Sequence, residues 1–158
     1  MVSGIDESHG EKAKAVEGIL GYEFSDKQLL IRALTREAYA KERRDEDEEC
    51  EGQEALETLG DAILGAAVID LLFRSGCETD HDLTTRRREL VNDDHVAEVA
   101  KNSGIAPNQI LNGGEEKEGR REESGILADT LEALIGAVHL DGGFDAAKKV
   151  VEERFEVR

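Results

Sequence analysis

The sequence predicts an all-α protein. Apolar residues recur at helical spacing along most of the chain, and two segments, residues 53–74 and 126–140, are apolar on nearly every side. No segment alternates apolar and polar residues with the two-residue period of a half-buried strand. A single Pro among 158 residues leaves long helices uninterrupted. We therefore expect two apolar helices in the centre of the molecule with the other helices around them.

The N-terminal residues 1–10 are polar, and we expect them to form a flexible tail. The domain itself is expected to cover residues 11–158, a length close to the usual size of one domain. Its first helix is predicted from Lys12 to Leu20, where apolar residues recur at helical spacing, and Gly21 ends it.

A capping-box pattern opens the second predicted helix. Ser25 is followed three residues later by Gln28, which is typical of a helix N-terminus. The apolar residues that follow extend this helix to about Tyr39. The acidic residues 41–51 are then expected to form a loop that leads into the first apolar helix.

The rest of the chain is predicted as helices joined by short turns. The predicted elements are a helix from Thr79-Asp80 to Val91, a helix capped by Asp93 or Asp94 that ends near Gly104, a short helix that begins at Pro107, a polar loop over 113–123, the second apolar helix, and a last amphipathic helix from Asp145 to Phe155.

The formal net charge of −17 is concentrated in one place, because residues 45–61 carry nine acids and no base. A charge of this sign argues against a surface that binds anionic membranes or polyanions in general. Two Cys without a CxxC pattern indicate neither a disulfide framework nor a zinc site. The chain also has no leader-like segment and no long apolar run, so we expect a cytoplasmic protein that does not enter a membrane.

Both apolar helices carry carboxylates at helical spacing. Glu57 and Asp61 are four residues apart, Asp129 and Glu132 are three apart, and Glu54 extends the first stripe. Small residues nearby allow the two helices to approach closely. Buried carboxylates need a counter-charge, either from Arg side chains or from a hard cation such as Mg²⁺ or Mn²⁺. The alternative is that both pairs face water at the helix ends.

Four segments resemble the catalytic domain of the ribonuclease III family. EALETLGDAILGAA (54–67) resembles the family's hallmark motif, and ILADTLEALIGAVHLDGG (126–143) resembles its second acidic motif. GYEFSDKQLLIRALT (21–35) and LTTRRRELVN (83–92) are similar to two further blocks. The resemblance covers residues 12–156 with the blocks in the family's order.

The resemblance implies a helical endonuclease domain that forms homodimers and cuts double-stranded RNA with Mg²⁺ or Mn²⁺, without a small-molecule cofactor. The products would carry 5′-phosphate and 3′-hydroxyl ends. By position, Glu57, Asp61, Asp129 and Glu132 would be the metal-site carboxylates. Among these, Asp61 and Glu132 would be the residues most critical for turnover, and Glu54 would be a further acid beside the site.

The sequence departs from the family pattern near these motifs at residues 36–38 and at Thr58, Gly125 and His139. The usual ALTHxS reads ALT followed by Arg36, Glu37 and Ala38, so that the His and the Ser are absent. Thr58 takes the place of an aromatic residue that the family uses at its dimer interface.

The basic cluster of Arg86, Arg87 and Arg88 is the best candidate for contacts with RNA phosphates. The alternative is a solvated helix face on which these residues pair with nearby acids. Only 15 residues follow Gly143, too few for the RNA-binding domain that many family members carry. We therefore expect either a single-domain enzyme or an isolated catalytic domain. Two other functions stay open, a ribonuclease III-like RNA-binding or scaffold protein that does not cleave, and an acidic helical interaction module.

Overall fold

The computed structural model describes residues 7–157. In that range it contains nine α-helices and no β-strand. The helices are α1 (Glu7–Leu20), α2 (Lys27–Leu34), α3 (Glu37–Asp45), α4 (Glu54–Arg74), α5 (Asp80–Val91), α6 (Asp93–Ser103), α7 (Gly113–Lys117), α8 (Ser124–Gly142) and α9 (Phe144–Phe155). The all-α prediction is confirmed, and both apolar helices lie within one or two residues of their predicted bounds.

The two apolar helices, α4 and α8, form the centre of the molecule. They pack against each other along their length, and α2, α6 and α9 cover the remaining sides of α8. Twelve residues of α8 are buried, which explains why it is apolar on almost every side. The helices cross where Gly60 meets the backbone of Glu132 and Gly136 meets the backbone of Leu56. The absence of side chains at these two positions therefore sets the distance between α4 and α8.

The second predicted helix is shorter than expected and begins at a different cap. Asp26, not Ser25, accepts hydrogen bonds from the backbone amides at the start of α2, and the amides of Ser25 and Asp26 both donate to Asp141 at 2.9 Å. The helix ends at Leu34 because Thr35 is extended and forms an isolated parallel bridge with Ile110. A separate helix, α3, begins at Glu37.

Two segments predicted as loops contain helices. Residues 41–45 belong to α3, so the acidic loop is shorter than predicted. Within residues 113–123, α7 is capped by Asn112, whose side chain accepts from the amide of Glu115 at 2.8 Å. A 3₁₀ turn over Arg120–Glu122 follows. Both segments are polar, and the hydrophobic period that reveals a helix in a sequence is weak there.

Three other predicted boundaries also change. The helix α1 begins at Glu7, so residues 7–10 are helical, and the remainder of the predicted tail, residues 1–6, lies outside the described residues. Asn92 rather than Asp93 or Asp94 caps α6, since its side chain accepts from the amide of His95 at 2.9 Å. The short helix at Pro107 is one 3₁₀ turn, Ala106–Asn108. No helix within the described range combines the length and apolarity needed to cross a membrane.

Candidate metal centre

The four predicted carboxylates meet in two pairs across the α4–α8 crossing. Glu57 of α4 is hydrogen-bonded to Asp129 of α8, and Asp61 of α4 is hydrogen-bonded to Glu132 of α8. Glu132 is only 7% exposed. Glu57 and Asp129 are half-buried and Asp61 is exposed, so the close approach at Gly60 and Gly136 brings the two acidic stripes together at an edge of the crossing that solvent reaches.

Glu57 and Glu132 have strongly perturbed pKa values. Burial, together with the charge and hydrogen bond of Asp129, raises the pKa of Glu57 from 4.5 to about 7. Burial, together with the hydrogen bond and charge of Asp61, raises the pKa of Glu132 from 4.5 to about 8. Asp93 at the start of α6 adds a further repulsive charge at Glu132. Each pair therefore retains a proton near neutral pH unless a cation compensates its charge.

This donor set fits a hard divalent cation. Carboxylate oxygens are the ligands that Mg²⁺ and Mn²⁺ prefer, and a cation relieves the repulsion that raises both pKa values. Among residues 7–157, no three His, Cys, Asp or Glu side chains are gathered closely enough to form a single cage. The carboxylates instead form two adjacent pairs, and the charge of Glu57 also acts on Glu132.

Arg36 supplies the counter-charge at one end of the site. Its guanidinium donates to Asp129 at 3.3 Å, to the buried Glu115 at 3.3 Å and to Gln53 at 2.9 Å. The Arg36 side chain is 18% exposed. The sequence showed Arg36 only as a departure from the family pattern, and it did not indicate Gln53 or Glu115 as parts of the site.

Buried amide groups hold this network in place. The amide nitrogen of Gln53 donates to the backbone carbonyl of Ala33 at 2.8 Å and to Thr130 at 3.3 Å. The hydroxyl of Thr130 in turn donates to Gln109 at 2.7 Å. Because its nitrogen is used in this way, Gln53 presents its oxygen to Arg36.

An open groove of about 290 Å³ lies beside the Glu57–Asp129 pair. Glu54, predicted to extend the acidic stripe, forms part of its wall, as does Thr58. The lining residues are Arg36, Glu37, Gln53, Glu54, Glu57, Thr58 and Asp129. The groove gives solvent and ligands access to one carboxylate pair and to the guanidinium of Arg36.

A model of ribonuclease-III-like domains matches residues 26–157, a range that includes both carboxylate pairs. The chain belongs to the ribonuclease III family. This family member is 38% identical over 146 residues to ribonuclease 3 of Geobacter metallireducens. The aligned residues are 92% of this chain and 59% of that protein. It is 42% identical over 142 residues to ribonuclease 3 of Streptomyces coelicolor, covering 89% of this chain and 50% of that protein.

The chain therefore spans less than two thirds of the length of these curated relatives. Its fold matches the nuclease domain of ribonuclease III from Campylobacter jejuni with a TM-score of 0.81 and 37% identity. That match covers 90% of this chain and 95% of the other, and the Campylobacter structure concerns flexibility in a region involved in dimer formation. A second structure of the same nuclease domain gives a TM-score of 0.78.

The three predicted RNA-binding arginines of this ribonuclease III family member lie on α5, next to α4. Arg86 is half-buried and already has a partner in the fold, whereas Arg87 and Arg88 are exposed. The guanidinium of Arg87 lies against the backbone of Gly65 on α4. Their role in RNA binding stays a prediction.

Proposed function

We propose that this chain is a Mg²⁺-dependent endoribonuclease domain that cleaves double-stranded RNA. The observation that carries the proposal is the pair of cross-helix carboxyl contacts, Glu57 with Asp129 and Asp61 with Glu132, inside the region matched by the family model. The relatives named ribonuclease 3 support the reaction class. The products are 5′-phosphate and 3′-hydroxyl ends, and Mn²⁺ replaces Mg²⁺ because it accepts the same oxygen ligands.

Hydrolysis of a phosphodiester needs an activated water and compensation of the negative charge on the phosphate. A bound divalent cation lowers the pKa of its water and stabilises that charge. Glu57, Asp61, Asp129 and Glu132 would hold the cation, with Asp61 and Glu132 as the residues most critical for turnover. Glu54, in the wall of the groove, is a further acid beside the site. The two protons retained by the pairs must leave before all four carboxylates act as ligands.

We also propose that two copies of the chain assemble, so that two centres address the two strands of one duplex. The Campylobacter nuclease domain has a region involved in dimer formation, which supports this assembly. Thr58 is exposed on α4, and its hydroxyl donates to the carbonyl of Glu54 one turn earlier.

We also propose a cytoplasmic location, with which the free thiols of Cys50 and Cys77 are compatible.

The test is incubation of end-labelled duplex RNA with the purified chain, with and without Mg²⁺, followed by analysis of the product ends. We expect cleavage only with the metal. Glu132→Gln should lower the cleavage rate by about 100-fold or more, because several kcal/mol of charge stabilisation depend on the metal centre. Glu152→Gln, the same change at an exposed position of α9, is the matched control.

Two results would contradict the proposal. One is the absence of cleavage by the wild-type chain in Mg²⁺ and in Mn²⁺, with circular dichroism showing a folded helical protein. The other is equal cleavage by Glu132→Gln and Glu152→Gln. Duplex binding without scission, measured in Ca²⁺ by gel shift, would instead indicate the non-cleaving RNA-binding or scaffold protein. No retardation at low salt would indicate an acidic interaction module.

A further inference from the structure

Gly65 and Arg87 make an unusually close contact between α4 and α5. A Cβ atom at Gly65 would lie 2.8 Å from one terminal nitrogen of Arg87 and 3.3 Å from its Nε. The guanidinium therefore occupies the space that any other side chain at position 65 would need. Gly65 is buried, and the side chain of Arg87 is what covers it on this side.

This contact places Arg87 next to the acidic centre. Gly65 follows Asp61 by four residues on α4, so both positions lie on one face of the helix, about 6 Å apart. The guanidinium that rests on Gly65 is thus one helical turn from a carboxylate of the proposed metal centre.

The hydrogen-bond donors of the Arg87 guanidinium are available to a ligand. No hydrogen bond or ion pair links its side chain to another of the residues 7–157, and the side chain is exposed. This is notable in a chain with 37 acids and 20 Lys and Arg residues. Other arginines, such as Arg36, Arg74 and Arg120, do pair with carboxylates.

We propose that Arg87 binds a phosphate of the RNA strand beside Asp61, and that position 65 is a glycine because only a residue without a side chain lets the guanidinium lie there. A planar guanidinium binds two phosphate oxygens at once, which suits a backbone contact that does not read sequence. The inference rests on the proposed function, since it assigns one residue to the RNA that the centre would cleave.

The two residues can be tested together in a double-mutant cycle. The variants are Arg87→Gln, Gly65→Ala and the double variant, with Lys101→Gln, at an exposed position near the end of α6, as the control for loss of one positive charge. Gly65→Ala changes no charge, and alanine is the better helix former, so the variant should fold once Arg87 moves aside. Melting curves by circular dichroism check the fold of each variant.

The measured quantities are the dissociation constant for duplex RNA in Ca²⁺ as a function of salt, and kcat/KM in Mg²⁺. We expect Arg87→Gln to weaken RNA binding about 5- to 10-fold and to reduce the slope of log K against log salt by about 1. Gly65→Ala should weaken binding similarly and add nothing in the Arg87→Gln background. Lys101→Gln should change binding less than about twofold, and the Mg²⁺ dependence should be unchanged in all variants.

The outcomes separate this inference from the proposed function. If the wild-type chain cleaves duplex RNA while Arg87→Gln binds it as tightly as the wild type, only the role of Arg87 is overturned. Additive effects of Gly65→Ala and Arg87→Gln would also overturn it, because the glycine would then act independently of the arginine. If the wild-type chain neither binds nor cleaves duplex RNA, the proposed function itself fails.

Discussion

Arg36 is the residue on which the polar network beside the acidic centre depends. Glu115 is 6% exposed, and only one of its carboxylate oxygens is hydrogen-bonded, by Arg36. A buried carboxylate is tolerated only when a partner compensates its charge. Arg36 thus connects α7 to the centre through Glu115 and orients Asp129 on α8.

We expect Arg36→Gln to lower the free energy of unfolding by about 2 kcal/mol, because it leaves Glu115 as an uncompensated buried charge. Adding Glu115→Gln should restore most of that loss. Arg74→Gln is the control, since its ion pair with Asp70 is on the surface and is worth less than about 1 kcal/mol. Urea denaturation at neutral pH without metal measures all four proteins. Equal losses for Arg36→Gln and Arg74→Gln would contradict this role of Arg36.

The four acids of the centre could be predicted from the sequence, whereas the polar residues that contact them could not. Glu57, Asp61, Asp129 and Glu132 stand out because carboxylates at helical spacing are unusual in apolar helices. Arg36 and Glu115 are 79 residues apart in the chain, and no local pattern links them. A long-range polar contact of this kind depends on the fold, so only the departure of Arg36 from the family pattern could have drawn attention to it.

Among the elements, the crossing of α4 and α8 decides whether the carboxylate pairs form. A side chain at Gly60 would collide with the backbone carbonyl of Glu132, which cannot move without shifting α8. We expect Gly60→Ala to cost about 1–3 kcal/mol of stability and to separate the pairs. Gly18→Ala on α1 is the matched control, because the added Cβ would meet no atom within 4 Å apart from the adjoining backbone of its own helix.

The control should gain up to about 1 kcal/mol, since alanine favours a helix more than glycine does. Thermal unfolding followed by circular dichroism compares the two variants. If Gly60→Ala were as stable as Gly18→Ala, the close crossing would not be a requirement of the fold.

The helix predictions were accurate where hydrophobic periodicity is strong and wrong where it is weak. The bounds of α4 and α8 were predicted closely, because nearly every turn of these helices is buried. By contrast, α3 buries only Ala40 and α7 only Glu115, so neither has an apolar stripe. The end of α2 is set by the bridge between Thr35 and Ile110, a contact that a local sequence pattern does not reveal.

Across the whole molecule, the acids that give the net charge of −17 are unevenly distributed, and some of them are paired with basic side chains. Part of the acidic run is paired locally, since Glu46 and Glu48 contact Arg43 and Glu51 contacts Arg32. Glu57 and Asp61, near its end, lie in the proposed metal centre. A bound cation would reverse the local field there, so an acidic chain can still receive an anionic RNA.

The affinity of the chain for Mg²⁺ as a function of pH tests most directly whether the two carboxylate pairs form a divalent-metal centre. Below their pKa values of about 7 and about 8, Glu57 and Glu132 hold protons that the metal must displace. Calorimetric titration should therefore show Mg²⁺ affinity rising between pH 6 and pH 9, roughly tenfold per pH unit for each proton displaced. Glu132→Gln should weaken binding and flatten this rise. An affinity that does not change with pH, or that Glu132→Gln leaves unaltered, would contradict the claim.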